Sequence, residues 1–333
     1  MINRRAFDVS LAASPVFLTA CQQDPQAAPP PTPTWRLAVP APYAIQEIYP
    51  VLHRAEIWIA GGLSPLARGA TERVIILNPE TGAWRDGPAL PTPAHHVHLA
   101  CLNDELYAIG GFLGGDSRTR WICTPRVLKL EADRWVPGPN LPKPIGEAVP
   151  IGENGRIHLI GGRSPKGSDN SNWQDHDDVG DHFVLEADAS AWRRAAPLPT
   201  PRNSAAGAVR HGAIHVISGR NVIGGQSPAH DIYNPETDSW SVGAPYPEPR
   251  GGLAAAELGG EIFVGGGEIF NPPSVGGNLW KYDANSAWTQ AYIMPTPRHG
   301  HGFVTVDSAI YMLGGARNVS SDGTLANVDV LAP

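Results

Sequence analysis

Six times along this chain a short apolar run closes on a pair of small residues, and that recurrence restricts the fold more than any other feature. The copies are Ile57–Gly62, Leu106–Gly111, Ile157–Gly162, Ile214–Gly219, Ile262–Gly267 and Ile310–Gly315, with Ser218-Gly219 and a triple glycine as variants. The pairs begin at 61, 110, 161, 218, 265 and 314, in steps of 49, 51, 57, 47 and 49. A period of about 50 residues marks a stacked repeat whose single unit cannot bury its own apolar face.

Each unit follows one plan. A short strand after a Pro-rich turn leads to the apolar run and its glycines, and a loop of variable length follows. A third strand comes next, such as Arg73–Leu77, Arg126–Leu130, Asp231–Tyr233 or Asn278–Tyr282. A tight turn, Asn78-Pro79-Glu80-Thr81-Gly82 in one unit and Asn234-Pro235-Glu236-Thr237-Asp238 in another, then delivers a Trp. The tryptophans fall at 35, 84, 135, 192, 240 and 288, one per unit. With 37 Gly and 34 Pro among 333 residues, punctuation is too dense for a sustained helical period. The chain reads as all-β.

The glycine pair, the third-strand aromatic and the Trp at these spacings resemble the kelch repeat. That resemblance covers residues 35–333 and implies a β-propeller built of four-stranded blades. A lone sheet cannot bury both faces, whereas blades packed about an axis can, and a closed ring leaves only short edges. The Trp indoles are expected in the wedges between blades. Val328–Leu331 matches a third strand with no Trp after it, while Trp35 stands unpaired at the start. Trp35–Val39 should therefore be the outer strand of the last of six blades, closing the ring with N-terminal sequence.

The residues before Trp35 read differently. Residues 1–20 have the pattern of an export signal: Arg4-Arg5-Ala6-Phe7, then an apolar stretch Val9–Ala20 too short to anchor in a bilayer. Leu18-Thr19-Ala20-Cys21 resembles the bacterial lipobox, which implies cleavage and acylation at Cys21. Residues 21–34 are rich in Pro, Gln and Ala and read as a tether. The expected product is lipid-anchored, in the periplasm or at the outer membrane. A formal charge of −7 without basic clusters gives no support for nucleic-acid binding.

In kelch propellers the loop entering the innermost strand and the loop after the glycine pair open on one face. Aligned at that entry, three units read Ile45-Gln46-Glu47, Ala94-His95-His96 and Ile145-Gly146-Glu147. The others read Arg202-Asn203-Ser204, Arg250-Gly251-Gly252 and Arg298-His299-Gly300. The expectation is a channel face with Glu47, His96 and Glu147 on one side and Arg202, Arg250 and Arg298 on the other. Converging guanidiniums suit a carboxylate, sulfate or phosphate. Facing carboxyls could bind hydroxyls or an amine, or act as acid and base. Arg220, Asn221, Arg317 and Glu268, all shortly after their glycines, are further candidates. The long polar loop Arg163–His182 carries Trp173, Asp175, His176, Asp177, Asp178 and Asp181, without a recognisable metal spacing. No metal or cofactor is expected. His95, His98, His299 and His301 read as structural, and Cys101 and Cys123 as a possible pair or two buried thiols.

Fold does not decide function here. The favoured reading is a binding module that presents the channel face to a glycan, an acidic small molecule or a protein. A second is a sugar-acid isomerase resembling the kelch mutarotases of sialic acid, with Glu47, Glu147 or Glu268 as catalytic candidates. A third, more distant, is a galactose-oxidase-like copper enzyme.

Overall fold

The repeats fold as antiparallel sheets. In the computed structural model, which describes residues 34–114, 121–223 and 225–332, six four-stranded sheets follow one another. The first comprises Val51–His53, Glu56–Ala60, Val74–Leu77 and Trp84–Asp86. The second comprises His98–Leu102, Glu105–Ile109, Val127–Glu131 and Arg134–Pro137, and the third Val149–Glu153, Arg156–Ile160, His182–Glu186 and Arg193–Arg194. The fourth runs Ala206–Arg210, Ala213–Ile217, His230–Asn234 and Ser239–Val242. The fifth runs Gly251–Leu258, Glu261–Phe270, Asn278–Tyr282 and Trp288–Ile293, with Pro273–Val275 added beside it. The sixth takes Gly302–Val306, Ala309–Leu313 and Val328–Ala332 from the C-terminal end and Thr34–Leu37 from the other. Residues 1–20, Cys21 and the tether up to Pro33 lie outside the described residues.

Closure is made as the unpaired Trp35 implies. Thr34 pairs with Ala332, Trp35 with Leu331, Arg36 with Val330 and Leu37 with Asp329, in antiparallel register. The innermost strands of neighbouring sheets pack on one another all the way round, the first against the sixth included. Six apolar clusters fill the wedges. One joins Ile57, Ile59 and Ile75 of the first sheet to Tyr311, Leu313 and Val330 of the sixth. Another joins Trp58 and Ile76 to Leu99, Leu106 and Leu128 of the second. Each strand so feeds alternate residues to the wedges on its two sides, which is why the second strands read as continuous apolar runs. Full burial of each such side chain is worth roughly 1.5–3 kcal/mol.

The Trp indoles fasten sheet to sheet through hydrogen bonds as well as burial. Trp135, Trp192, Trp240 and Trp288 donate Nε1–H to the carbonyls of Pro88, Pro139, Ala196 and Ala244, at 2.7–2.9 Å. Trp84 reaches Val39 O at 3.3 Å. Trp35, on the closing strand, has a buried Nε1 with no partner.

The paired glycines turn the chain towards the axis with positive φ. At Gly62 (φ 112°) an added Cβ would sit 2.9 Å from Gln46 O, so only glycine fits. In the fifth sheet the triple glycine resolves as Gly266-Gly267, at φ 77° and 87°, one position later than the pair read from the sequence. Cys101 and Cys123 are both free thiols.

Candidate functional site

The third residue of every entry triplet lies on the axis in left-handed backbone. These are Glu47, His96, Glu147, Ser204, Gly252 and Gly300, with φ of 56°, 51°, 53°, 52°, 73° and 59°. Main-chain bonds join them in a circuit. His96 N donates to Glu47 O, Glu47 N to Gly300 O, Gly300 N to Gly252 O, Gly252 N to Ser204 O, and Ser204 N to Glu147 O, at 2.6–3.0 Å. Between the second and third sheets His98 makes the link instead, its Nε2 accepting from Ala148 N at 3.0 Å. A left-handed backbone costs a residue with a side chain roughly 1–2 kcal/mol. Four such residues held together on one axis mark a built site rather than a packing accident.

A second ring lies over the first. The residue after each glycine pair bridges the middle residue of its triplet or of the triplet in register with it. The pairs are Leu63 with Gln46, Phe112 with His95, Arg163 with Gly146, Arg220 with Asn203, Glu268 with Gly251 and Ala316 with His299. The two rings together bring three carboxylates and two guanidiniums into one buried network. Glu147, without exposed surface, accepts from Arg163 Nη1 at 3.2 Å, Arg220 Nη2 at 3.1 Å and Ser204 Oγ at 3.0 Å. Arg220 Nη1 donates to Glu268 Oε1 at 2.7 Å, and Glu268 Oε2 accepts from Ser320 N at 2.7 Å. Glu47 lies between His96 Nε2 at 2.8 Å and His299 Nδ1 at 3.6 Å.

Charge balance decides protonation here. Burial alone would raise the carboxyls of Glu47 and Glu147, but nearby cations outweigh it and hold both below the ordinary range. For Glu47 the principal opposing partner is His96, for Glu147 it is Arg163 followed by Arg220. Arg220 is deeply buried, and its desolvation is overcome by Glu147 and Glu268, which hold its proton more tightly than usual. Its Nε, buried as well, has no hydrogen-bond partner.

Aromatic rings wall the space above. Arg163–Pro165 pairs with His176–Asp178, folding the long loop back so that Trp173 lies over the Arg163 guanidinium at 3.5 Å. Trp173 meets Trp121 edge-on at 5.3 Å, and Arg220 lies 4.7 Å from the Phe270 ring. His176, its proton affinity lowered to about 4 by burial and Arg163, takes an Arg163 N–H on Nδ1 and donates from Nε2 to Asn170 at 3.0 Å. The result is a cavity of about 390 Å³ bounded by Glu47, Arg220, Glu268, Trp121, Trp173 and Phe270. A channel of about 230 Å³, lined by polar and apolar atoms alike, lies below Glu47 between the innermost strands.

The structure thus unites Glu47, His96, Glu147, Arg220 and Glu268, and corrects the arginine half of the expected channel. Arg202 and Arg298 occupy the first triplet position, which points into the sheet. Arg202 donates to Asp231 at 2.6 Å and to the carbonyls of Ser218, Thr200 and Val216. Arg298 pairs with Asp329 at 2.5 Å and reaches Gly314 O and Thr296 O. Both are essentially unexposed. Arg250 has Trp280 where the other two have an acid, and it turns to Glu248 and Ser274. Asn221 braces its own loop on Pro201 O at 3.2 Å, and Arg317 is exposed, outside the cavity lining. The loop acids are used internally. Asp175 caps a short turn, Asp178 takes Asn203 and Val222 N, and Asp181 pairs with Lys143 and Arg194. Among the described residues no group of three or more His, Cys, Asp or Glu is placed to hold a metal ion.

Arg163, Trp121 and Phe270 were not singled out by sequence reasoning. For Arg163 the signal was present, since it follows its glycine pair as Arg220 follows Gly219. Trp121 sits on a loop without any repeat position, and Phe270 ends the fifth sheet's second strand, which runs past the length of the repeat.

No family model matches the chain. Among curated proteins it is similar to human Kelch-like protein 34, 29% identical over 161 residues that cover 47% of this chain and 24% of that protein. It is similar to β-scruin of Limulus polyphemus, 29% identical over 190 residues, 54% of this chain and 20% of the other. The mouse Kelch-like protein 35 is 26% identical over 190 residues, 55% of this chain and 29% of its own. The matched segments span under a third of each relative's length. The solved structure of YjhT superposes with a TM-score of 0.75 at 14% identity, covering 89% of this chain and 97% of that one. Sheet order, axial packing and these likenesses agree: the fold is a kelch-repeat β-propeller.

Proposed function

We propose that this protein is an exported, lipid-anchored binding module whose axial cavity takes a neutral or amino sugar unit of a glycan. The observation that carries the reading is the pairing of unspent polar atoms with an aromatic wall. Glu47 retains some exposure at the cavity floor, and Arg220 Nε is a buried donor with nothing to bind. A sugar hydroxyl could donate to the first and accept from the second, with its ring face on Trp173 or Trp121. A ligand carboxylate suits the site less, because the Nη atoms that Arg163 and Arg220 direct into the network already serve Glu147, Glu268, His176 and Trp173 O. Glu47 and Glu147 are both held below the ordinary carboxyl range, which suits them to accept hydrogen bonds from sugar hydroxyls.

A protein partner is the second reading. Leu66 and Ile223, on loops and 68% and 97% exposed, and Phe270 at the end of its strand would offer a partner apolar contact.

A glycan array followed by calorimetry on the mature chain tests the first reading. Saturable binding should persist in EDTA and weaken roughly 10-fold or more in Trp173→Ala and in Glu47→Gln, the scale of one charged hydrogen bond. Failure to bind any glycan would sink it and leave the protein partner. The anchor is tested separately. In a bacterial host, palmitate label should be incorporated and should vanish in Cys21→Ser, and persistent label would refute acylation at that residue.

A further inference from the structure

The axial cavity does not end at its own rim. Beyond Leu63 and Ser321, which line both, lies a second cavity of about 310 Å³ between the loops of the first and sixth sheets. Gln46, Ser64, Arg68, Asp322 and Thr324 surround it. Its lining contrasts with that of the axial cavity, since it has no aromatic ring and is a mixture of amide, hydroxyl, carboxylate and guanidinium groups.

Gln46 is the informative residue. It is 1% exposed, and its Nε2 donates to Thr324 Oγ1 at 2.8 Å while its Oε1 has no partner. Exchanging the two ends of the amide would not help, because whichever end does not face Thr324 is then the orphan. A buried amide end left unmade costs about 1–3 kcal/mol, and this one belongs to a residue that lines a cavity, where a ligand hydroxyl can complete it. Ser64 and Asp322 are already engaged by nearby main-chain N–H groups, Leu66 N at 3.2 Å and Gly323 N at 2.9 Å, and are thereby fixed in direction.

We infer that this cavity is a second subsite, and that the ligand is an oligosaccharide whose second, hydroxyl-rich unit is read by Gln46. This rests on the glycan reading of the axial cavity. Stacking would hold the first unit over Glu47 and Arg220. The second would be held by hydrogen bonds alone, with adjacent hydroxyls meeting the free amide end of Gln46 and the carboxylate of Asp322.

Calorimetry with the mature chain and cello-, xylo- and chito-oligosaccharides of one to four units tests it. In the series that binds, affinity should rise about 10-fold from one unit to two and change less than about twofold beyond two. Gln46→Leu should bring the disaccharide down to the affinity of the monosaccharide and leave the monosaccharide within about twofold. Asp322→Leu, at an exposed position, should remove part of the same gain. Equal binding of one and two units, or equal loss of both in Gln46→Leu, would overturn the subsite and spare the axial one. Absence of binding in every series, with no hit on the array, would overturn both.

Discussion

Arg202 and Arg298 show how one position in a triplet separates a ligand contact from a structural ion pair. Each places a fully buried guanidinium against one Asp and several carbonyls. Removing the cation strands the acid in a dry interior. Arg202→Ala should therefore lower unfolding free energy by about 3–5 kcal/mol in urea titrations and leave ligand affinity intact in the protein that remains folded. Arg202→Met combined with Asp231→Leu should recover most of the loss. A single variant of unchanged stability would overturn this account. The sequence held the clue, because an Asp interrupts the apolar third strand in the fourth and sixth repeats, where the Arg lies deepest, and Trp280 replaces it in the fifth. Reading all six triplets in one register would also have set Ser204, Gly252 and Gly300, not the arginines, opposite Glu47, His96 and Glu147. Mixing first and third positions hid this, since only the third turns left-handed onto the axis.

Two elements repeat a device that no motif announces. In the third sheet His158 Nδ1 lies 2.9 Å from His182 Nε2, and in the fourth His215 Nδ1 lies 2.8 Å from His230 Nε2. His182 and His230 each donate Nδ1–H to a carbonyl, of Ala196 and Ala244, so the partner rings must donate to them. Burial, reinforced by the neighbouring imidazole, leaves His158 and His215 at about 3, and burial partly offset by the bond to a carbonyl leaves His182 and His230 at about 4, against an ordinary 6.5. Folded, these rings stay neutral, whereas the unfolded chain takes up protons as pH falls below 6.5. Stability should then be lost between pH 6.5 and about 4, at about 1.4 kcal/mol per pH unit for each ring that resists protonation. Thermal melts across that window check it. His158→Leu with His182→Leu should flatten the slope, and a slope unchanged by the double variant would discount the pair. The strand positions of His158 and His215 were legible from the repeat, but His182 was read as the end of a loop and the third strand of the fourth repeat as starting after His230, and the pairing depends on cross-strand register.

At the scale of the whole ring, closure by Thr34–Leu37 makes the ends of the chain interdependent. Deleting residues 34–40 removes one strand of the sixth sheet and the Trp35 ring between blades, and it should lower the melting temperature by on the order of 10 °C. An unchanged melt would show that the ring closes without it. Architecture was readable because period, turn chemistry and Trp spacing all pointed one way. The aromatic wall was not, since Trp121 and Trp173 stand on loops that escape the repeat and Phe270 ends a strand that outruns it. The axial circuit of amide-to-carbonyl links carries a further consequence. All but the His98 link depend on main chain alone, so an axial side chain can change without breaking them where it tolerates left-handed backbone and clears its neighbours. A duplicated descendant could acquire a new ligand through the axial positions while inheriting its folding unaltered. Gly252 is the open one, where a Cβ would meet nothing nearer than 3.4 Å, and Asn is the natural newcomer there.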